Sequence, residues 1–408
     1  MPDRFHWTSI LALAGGVAVA FGSMFYAMSV MLTDKAAGAE FSTTTLSFAY
    51  GGLTLVGGGL AYFIGRRADR VGIRSLTMAG FALGATGLVA FGRATEPWQV
   101  LAASWLLLGP AASLTYYEPA FVAVDQWFSP RFRARALAVL TLIGGLAGPL
   151  FLPGTERLVD AFEWRDATLV LAWLMVAAGV IDALVLPRGI PGRAGGERAP
   201  DRGRLLRDRR FVLFTLAMAL SFGAFQAVFF HRIAVFEEAG FAVATVTLWA
   251  AASSLLSFPG RYAGPYLAER FGGIPVYATA TALSAGAVLV MIGGGAWRMP
   301  THFVAFGITF GAMLPIRAVV MAHWFSGPGY GRMMGAQWSL AAVFGAVMPA
   351  AAGAVRDQVD GYGPPLAAVA VLFACAAAVA VLSSRSDRAR RGGAAPEGGA
   401  LRPSEERN

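Results

Sequence analysis

Twelve long apolar stretches constrain the fold of this chain more than any other feature of its sequence. Each holds about 20 residues, enough for a helix to cross roughly 30 Å of hydrocarbon. None shows the alternation of apolar and polar residues that is typical of a membrane β-barrel. We therefore predict an all-α integral membrane protein with twelve transmembrane helices. The stretches run near residues 8–32, 43–65, 74–92, 98–128, 133–154, 166–186, 211–233, 244–266, 274–296, 301–325, 332–355 and 364–383.

Composition and charge favour a lipid-facing surface. Only 14% of the residues are charged, whereas a soluble chain carries roughly a quarter. The net charge is +9, but the arginines cluster in loops between apolar stretches, which points to membrane topology rather than to a nucleic-acid partner.

The placement of charge predicts orientation and domain organisation. Loops after even-numbered stretches are rich in Arg, and loops after odd-numbered stretches are rich in acids. The positive-inside rule then predicts a multi-pass protein of the plasma membrane, or of the bacterial inner membrane, with both termini cytoplasmic. Residues 187–210 are rich in Pro, Gly and Arg, and predict a cytoplasmic linker between helical domains 1–186 and 211–383. Residues 384–408 predict a disordered cytoplasmic tail.

An internal repeat relates the two domains. ADRVG, from Ala68 to Gly72, is answered by AERFG, from Ala268 to Gly272, 200 positions later. The pair Trp127-Phe128 is answered by Trp324-Phe325, 197 positions later. We infer a duplicated unit that gives two pseudo-symmetric six-helix bundles.

The loop between the second and third stretches carries a family motif. GRRADRVGIR, from Gly65 to Arg74, resembles the cytoplasmic signature loop of the major facilitator superfamily, Gly-x-x-x-Asp-Arg-x-Gly-x-Arg/Lys. The resemblance, together with the twelve stretches and the repeat, covers nearly the whole chain. It implies a secondary transporter that works by alternating access, with helices 1, 4, 7 and 10 around a central cavity.

The same loop supplies candidate gating residues. Gly72 suits a tight turn between two helices, and Asp69 could lie at a helix N-terminus or pair with an Arg across the interface between bundles. The alternative is that these charges only fix topology. The candidates are Gly65, Asp69, Arg70, Gly72 and Arg74, with Glu269 and Arg270 in the second bundle.

A narrower resemblance concerns the substrate. The segments His231–Gly273, Phe162–Arg165 and Trp127–Phe128 with Arg135–Ala138 resemble the monocarboxylate and oxalate–formate branch of the superfamily. In that branch an Arg of helix 8 binds the substrate carboxylate, and Arg261 falls at this position. A guanidinium donates two parallel hydrogen bonds to a carboxylate and stays charged when desolvated. The resemblance implies proton-coupled or exchange transport of a small organic anion such as a monocarboxylate.

The chain departs from that branch at three positions. Ser257 stands where monocarboxylate transporters have an Asp one turn before the Arg, and Tyr26 aligns with their helix 1 lysine. The oxalate-type lysine of helix 11 has no counterpart, because Lys35 is the chain's single lysine. We expect Tyr26 and Tyr117 to shape the substrate pocket.

Three further ionisable residues are candidates for binding or coupling. Arg317 lies well inside the tenth stretch and needs a cavity or a partner there. It could bind substrate while Glu118 carries a proton, or the two could form a structural ion pair. His231, near the outer end of the seventh stretch, could couple transport to protons or serve as an interfacial anchor.

Other functions remain as alternatives. Aromatic residues in helices 1 and 4, such as Phe25 and Tyr116, would suit drug or metabolite efflux. A non-transporting membrane sensor would need a cytoplasmic domain that the linkers do not offer. No Walker loop, HExxH or GxSxG motif occurs, so we expect no enzyme activity, cofactor or metal, and the family resemblance implies a monomer.

Overall fold

The computed structural model describes residues 3–33, 40–41, 43–188, 207–327, 329–359 and 361–392, which contain helices and no strand. We number twelve helices along the chain. The first half contains α1 (Asp3–Phe21, Gly22–Tyr26 and Ala27–Thr33), α2 (Thr43–Val71), α3 (Arg74–Gly92), α4 (Pro97–Ala102, Ala103–Leu108, Gly109–Thr115 and Tyr117–Trp127), α5 (Pro130–Gly145, continuing to 162) and α6 (164–185). The second half contains α7 (Arg209–Glu238), α8 (Val243–Phe271), α9 (Gly273–Ile292), α10 (Arg298–Phe325), α11 (Tyr330–Val359) and α12 (Gly363–Gly392).

Ten helices of the described part are long and apolar enough to cross a membrane. One of them, Pro130–Val185, is 56 residues long. It contains α5 and α6, because Glu163 adopts non-helical angles (φ 64°, ψ 160°) that break it. Helix α8 is not among the ten; it carries Arg261, two internal prolines and several serines, which lower its hydropathy.

The outer surface of the bundle is apolar. Leu184, Phe230 and Trp173 are 79%, 75% and 72% exposed. A soluble monomer rarely exposes so much contiguous apolar area. A hydrocarbon environment accommodates these side chains, as expected of an all-α membrane protein.

The sequence repeat corresponds to a structural repeat. Gly72 joins α2 to α3 with φ 79°, and Gly272 joins α8 to α9 with φ 90°. Positive φ at both turns favours glycine. Trp127 is the last residue of α4, and α10 ends at Phe325. We call the end of the bundle that carries these four residues the basic end, because the arginine-rich loops lie there.

Two helices are interrupted near the middle of the bundle. Helix α1 contains a π-helical segment, Gly22–Tyr26. Helix α4 breaks at Tyr116, whose ψ of −164° is extended. Pro119 explains the break, because it has no N–H to continue the helical ladder. The break places Glu118 in the first turn of the segment Tyr117–Trp127, where the helix dipole favours an acid.

The predicted boundaries shift slightly. Helix α7 begins at Arg209, where Asp208 accepts a hydrogen bond from the Arg210 amide. Most of the predicted linker, 189–206, lies outside the described residues. Helix α12 continues to Gly392, past the predicted start of the tail at 384. No Pro or Gly interrupts residues 384–391, so nothing ends the helix earlier; residues 393–408 lie outside the described part.

Candidate substrate-binding site

Arg261 lies at the interface between the two halves. Its guanidinium is held from both sides: Nε donates to Ser257 Oγ of its own helix (3.2 Å), and Nη1 donates to the Thr141 carbonyl oxygen of α5 (3.0 Å). Nη1 also donates to the Tyr117 hydroxyl of α4 at 3.4 Å. The residue is 7% exposed.

The charge of Arg261 has no counterion in the described part of the chain. Its hydrogen-bond acceptors are two hydroxyls and a carbonyl, all neutral groups. A Cβ at Gly145 would lie 2.9 Å from Arg261 Nε, so glycine leaves room for the guanidinium. A buried cation with only neutral partners is costly, and an anionic ligand would stabilise it.

The structure brings the predicted pocket tyrosines to this arginine. Tyr117 contacts it directly. Tyr26 ends the π-helical segment of α1 and interacts electrostatically with Arg261, Tyr117 and Arg232. A Cβ at Gly148 would lie 3.1 Å from the Tyr26 ring. Because π-helical segments frequently mark functional sites, this placement of Tyr26 fits a pocket residue.

Arg317 and Glu118 form a buried ion pair, one of the two arrangements considered from sequence. Both guanidinium Nη atoms reach the carboxylate oxygens, at 2.8 and 3.0 Å. Arg317 Nε donates to Gln337 Oε1 (3.0 Å) and Nη2 to the Met334 carbonyl (2.8 Å). Arg317 is 1% exposed. The pair joins α4 of the first half to α10 of the second.

His231 lies within the second half. Its Nε2 lies 2.9 Å from the Pro349 carbonyl oxygen of α11, and its Nδ1 lies 3.3 Å from the Tyr362 hydroxyl. No hydrogen bond in the described residues joins it to Arg261. The structure therefore does not bring this coupling candidate to the arginine site.

Arg232, the next residue, was not singled out from sequence. It is 8% exposed, and its Nη1 donates to Ser253 Oγ of α8 at 3.1 Å. Its guanidinium lies 4.4 Å from the Phe229 ring centroid. The apolar stretch was expected to end at 233, but α7 continues to Glu238, so Arg232 lies about 9 Å inside the helix end. Only the true helix length reveals it as an internal residue.

At the basic end, each half contributes an acid that faces the other half. The Asp69 carboxylate accepts hydrogen bonds from the Gly331 and Arg332 amides at the start of α11, at 3.0 and 3.1 Å. Glu269 of α8 faces the Ala134 amide and Arg135 of α5. Desolvation raises the pKa of Glu269, and these two groups oppose the shift. Asp69 thus takes the helix N-terminus, the first of its two predicted positions.

Small residues allow α2 and α11 to touch at the basic end. A Cβ at Gly65 would overlap the Gly331 carbonyl oxygen, and a Cβ at Gly335 would overlap that of Ala61. Asp125 adds a further connection: its Oδ2 accepts a hydrogen bond from the Gly327 amide (3.0 Å), while its Oδ1 pairs with Arg133 (3.2 Å). The halves are closed against each other here.

Comparison with known proteins decides the family. The model of the Major Facilitator Superfamily matches residues 11–301. The chain belongs to the major facilitator superfamily. It is a multi-pass membrane protein. Its resemblance to the monocarboxylate branch has support, because it is 28% identical to human monocarboxylate transporter 11 over 311 residues, 71% of this chain and 64% of that protein.

Two further relatives carry names that point to different substrates. Rat monocarboxylate transporter 13 is 25% identical over 61% of this chain and 59% of its own length. The multidrug resistance protein MdtH of Cronobacter sakazakii is 31% identical over 50% of this chain and 49% of its own length. The chain spans less than two thirds of the length of these relatives.

Solved structures share the fold. The human organic anion transporter MFSD10 superposes with a TM-score of 0.69 at 16% identity, covering 94% of this chain and 99% of that chain. FucP in the outward conformation gives a TM-score of 0.72 at 14% identity, covering 93% and 98%.

The arginines of the superfamily signature loop take less part in the closed interface than its Asp and Gly. Arg70 and Arg270 are exposed and make no ion pair within the described residues. The Arg270 guanidinium lies 5.2 Å from the neighbouring Phe271 ring. Arg74 is the first residue of α3, and its carbonyl accepts from Thr77. Their placement fits a topological role at least as well as a gating one.

Proposed function

We propose that this transporter carries a small organic anion, such as a monocarboxylate, by alternating access. The observation that supports this most is the state of Arg261: buried, held at the interface of the halves and lacking a counterion among the described residues. A carboxylate entering the interface would accept two parallel hydrogen bonds from its guanidinium. Tyr26 and Tyr117 would frame the bound anion.

The basic end is the proposed cytoplasmic gate. The positive-inside rule assigns it, with both termini, to the cytoplasm. On one side, Asp69 would hold this gate shut by bonding the N-terminus of α11, and Gly65 would allow the close approach of the helices. On the other side, Glu269 would act at the N-terminal part of α5. Gly72 would keep the turn beside Asp69 tight. Rocking of the halves would break these contacts and expose the site to the cytoplasm.

The coupling reaction is proton symport or anion exchange. Glu118 is the first candidate for a proton carrier, because it lies on the interface and its pairing with Arg317 must change if the halves separate at that level. The same change would free Arg317 to meet substrate. His231 is the second candidate, with an indirect role, because it bonds Pro349 of α11 and Tyr362, just before α12, rather than the arginine site.

A thermal-stability screen of the purified transporter tests the anion assignment. Short-chain monocarboxylates, organic cations and common drugs would be compared on the parent, Arg261→Ala and Arg157→Ala. Arg157 is exposed and controls for loss of one positive charge. A ligand that binds only the folded state stabilises it by about 2.7 kcal/mol at a hundredfold excess over Kd.

We expect a monocarboxylate to raise the unfolding temperature of the parent and of Arg157→Ala, and to leave that of Arg261→Ala unchanged. Equal stabilisation of all three proteins would contradict the role of Arg261. Stabilisation by cations and drugs alone would contradict the anion assignment.

Efflux of drugs or metabolites is the second candidate function. An aromatic cluster in the first half favours it: the Phe21 and Tyr116 rings stack with centroids 3.8 Å apart, and Phe25 lies 5.1 Å from Tyr50. Such surfaces suit flat apolar or cationic solutes. Stabilisation by organic cations, lost on Tyr116→Ala, would favour this function over anion transport.

A further inference from the structure

Two serines of helix α8 hold two buried arginines in the same way, Arg261 of α8 itself and Arg232 of α7. Ser253 and Ser257 lie one turn apart, about 6 Å along the helix. Each serine hydroxyl donates to the carbonyl three residues earlier, at 2.8 and 2.6 Å. Each then accepts a hydrogen bond from a guanidinium: Ser253 from Arg232 and Ser257 from Arg261. The serines hold the two cations side by side along one face of α8.

Arg232, like Arg261, has no counterion within the described residues. Its Nε is buried without a hydrogen-bond partner. Its guanidinium also lies near the Phe229 and Phe303 rings, with centroids at 4.4 and 5.3 Å. A ring contributes about 0.5–2 kcal/mol to the stability of a nearby guanidinium. A carboxylate in a desolvated ion pair interacts with it by several kcal/mol.

Tyr26 connects the two cations across the interface. Its phenol, on α1 of the opposite half, interacts electrostatically with both Arg261 and Arg232. Both guanidiniums are therefore close to the surface between the halves where a solute would bind. Two uncompensated positive charges beside one phenol form a site that a monoanion neutralises only in part.

We propose that Arg232 is a second anion subsite, and that the preferred substrate carries two acidic groups, one on Arg261 and one on Arg232. This proposal rests on the proposed function, in which Arg261 binds a carboxylate. Because the single lysine, Lys35, does not lie in helix 11, Arg232 would supply the second cation that a diacid needs. A short aliphatic dicarboxylate is the simplest substrate of this class.

Calorimetric titration with malonate, succinate and glutarate, each paired with its monomethyl ester, tests the proposal. We expect a dicarboxylate to bind the parent at least about tenfold more tightly than its monoester, because it gains a second desolvated charge pair. Arg232→Gln should abolish that difference, because it weakens diacid binding far more than monoester binding. Arg232→Lys, which retains the charge, should preserve part of the difference.

Each contrary result has a distinct meaning. A parent that binds diacid and monoester equally, or an Arg232→Gln variant with an unchanged diacid preference, overturns the second subsite and leaves the anion function standing. Monoester binding that is unaffected by Arg261→Gln overturns the proposed function instead. The parent comparison needs no variant, so it decides the matter even where Arg232→Gln fails to fold.

Discussion

The buried Glu118–Arg317 pair shows how a polar residue is kept inside the membrane. Its two parallel hydrogen bonds satisfy the carboxylate, while Gln337 and the Met334 carbonyl satisfy the rest of the guanidinium. Removing one partner of such a pair leaves an uncompensated buried charge, whereas removing both leaves none. The pair also crosses the interface, so its stability bears on movement of the halves.

Glu118→Gln should therefore destabilise the protein by about 3–5 kcal/mol. The double variant Glu118→Gln with Arg317→Met should lose much less than the sum of the single losses, because no lone charge remains. Thermal or denaturant unfolding in detergent measures both, with the exposed Glu156→Gln as control. Additive losses would contradict a mutual pair.

Some buried charged residues could be recognised from the sequence, and others could not. An Arg in an apolar stretch needs a partner, so Arg317 and Glu118 could be named together from sequence. Whether they bond each other depended on how α4 and α10 pack across the interface, which the sequence does not show. Arg232 could not be recognised, because its burial depends on where α7 ends and on which rings pack beside it.

At the scale of elements, contact between α2 and α11 depends on glycine. Gly65 meets the Gly331 backbone directly, whereas a Cβ added at Gly59 on the same helix would have no atom within 4 Å. The two positions form a natural pair of test and control, since both substitutions remove a glycine from α2 and add the same methyl group.

Gly65→Ala should shift the transporter away from the closed basic end, because the new methyl group overlaps the Gly331 carbonyl. Spin labels at Arg67→Cys and Arg270→Cys, in a Cys375→Ala background, report the separation of the halves by pulsed EPR. We expect a longer-distance population in Gly65→Ala and a parent-like distribution in Gly59→Ala. Identical distributions in all three would show that this contact does not set the gate.

Asp69→Asn should weaken the same gate electrostatically. The carboxylate charge at the N-terminus of α11 contributes about 0.3–2 kcal/mol, so its loss should shift the closed-to-open ratio by up to about thirtyfold. The same labels measure the change, with the exposed Asp160→Asn as control. An unchanged distance distribution would indicate that the signature Asp fixes topology alone.

At the scale of the molecule, the fold could be predicted because it follows from the length, hydropathy and internal repeats of the chain, which are properties of the sequence alone. Twelve apolar stretches, the arginine pattern and the related turns ADRVG and AERFG define the two halves. Helix ends were less predictable. The polar composition after 384 suggested that α12 stops there, but no Pro or Gly lies between 384 and 391 to end the helix. The contact of Asp125 with Gly327 required the packing of one half against the other, and the contacts of Arg232 required the packing of helices within the second half.

The central claim is that Arg261 binds a transported anion, and uptake into proteoliposomes tests it most directly. Reconstituted parent, Arg261→Gln and Arg157→Gln would be given a radiolabelled monocarboxylate or dicarboxylate under an imposed pH gradient or against preloaded unlabelled anion. We predict uptake by the parent and by Arg157→Gln, and at least a tenfold loss with Arg261→Gln, the equivalent of about 1.4 kcal/mol. Undiminished uptake by Arg261→Gln, or transport of organic cations alone, would contradict the account.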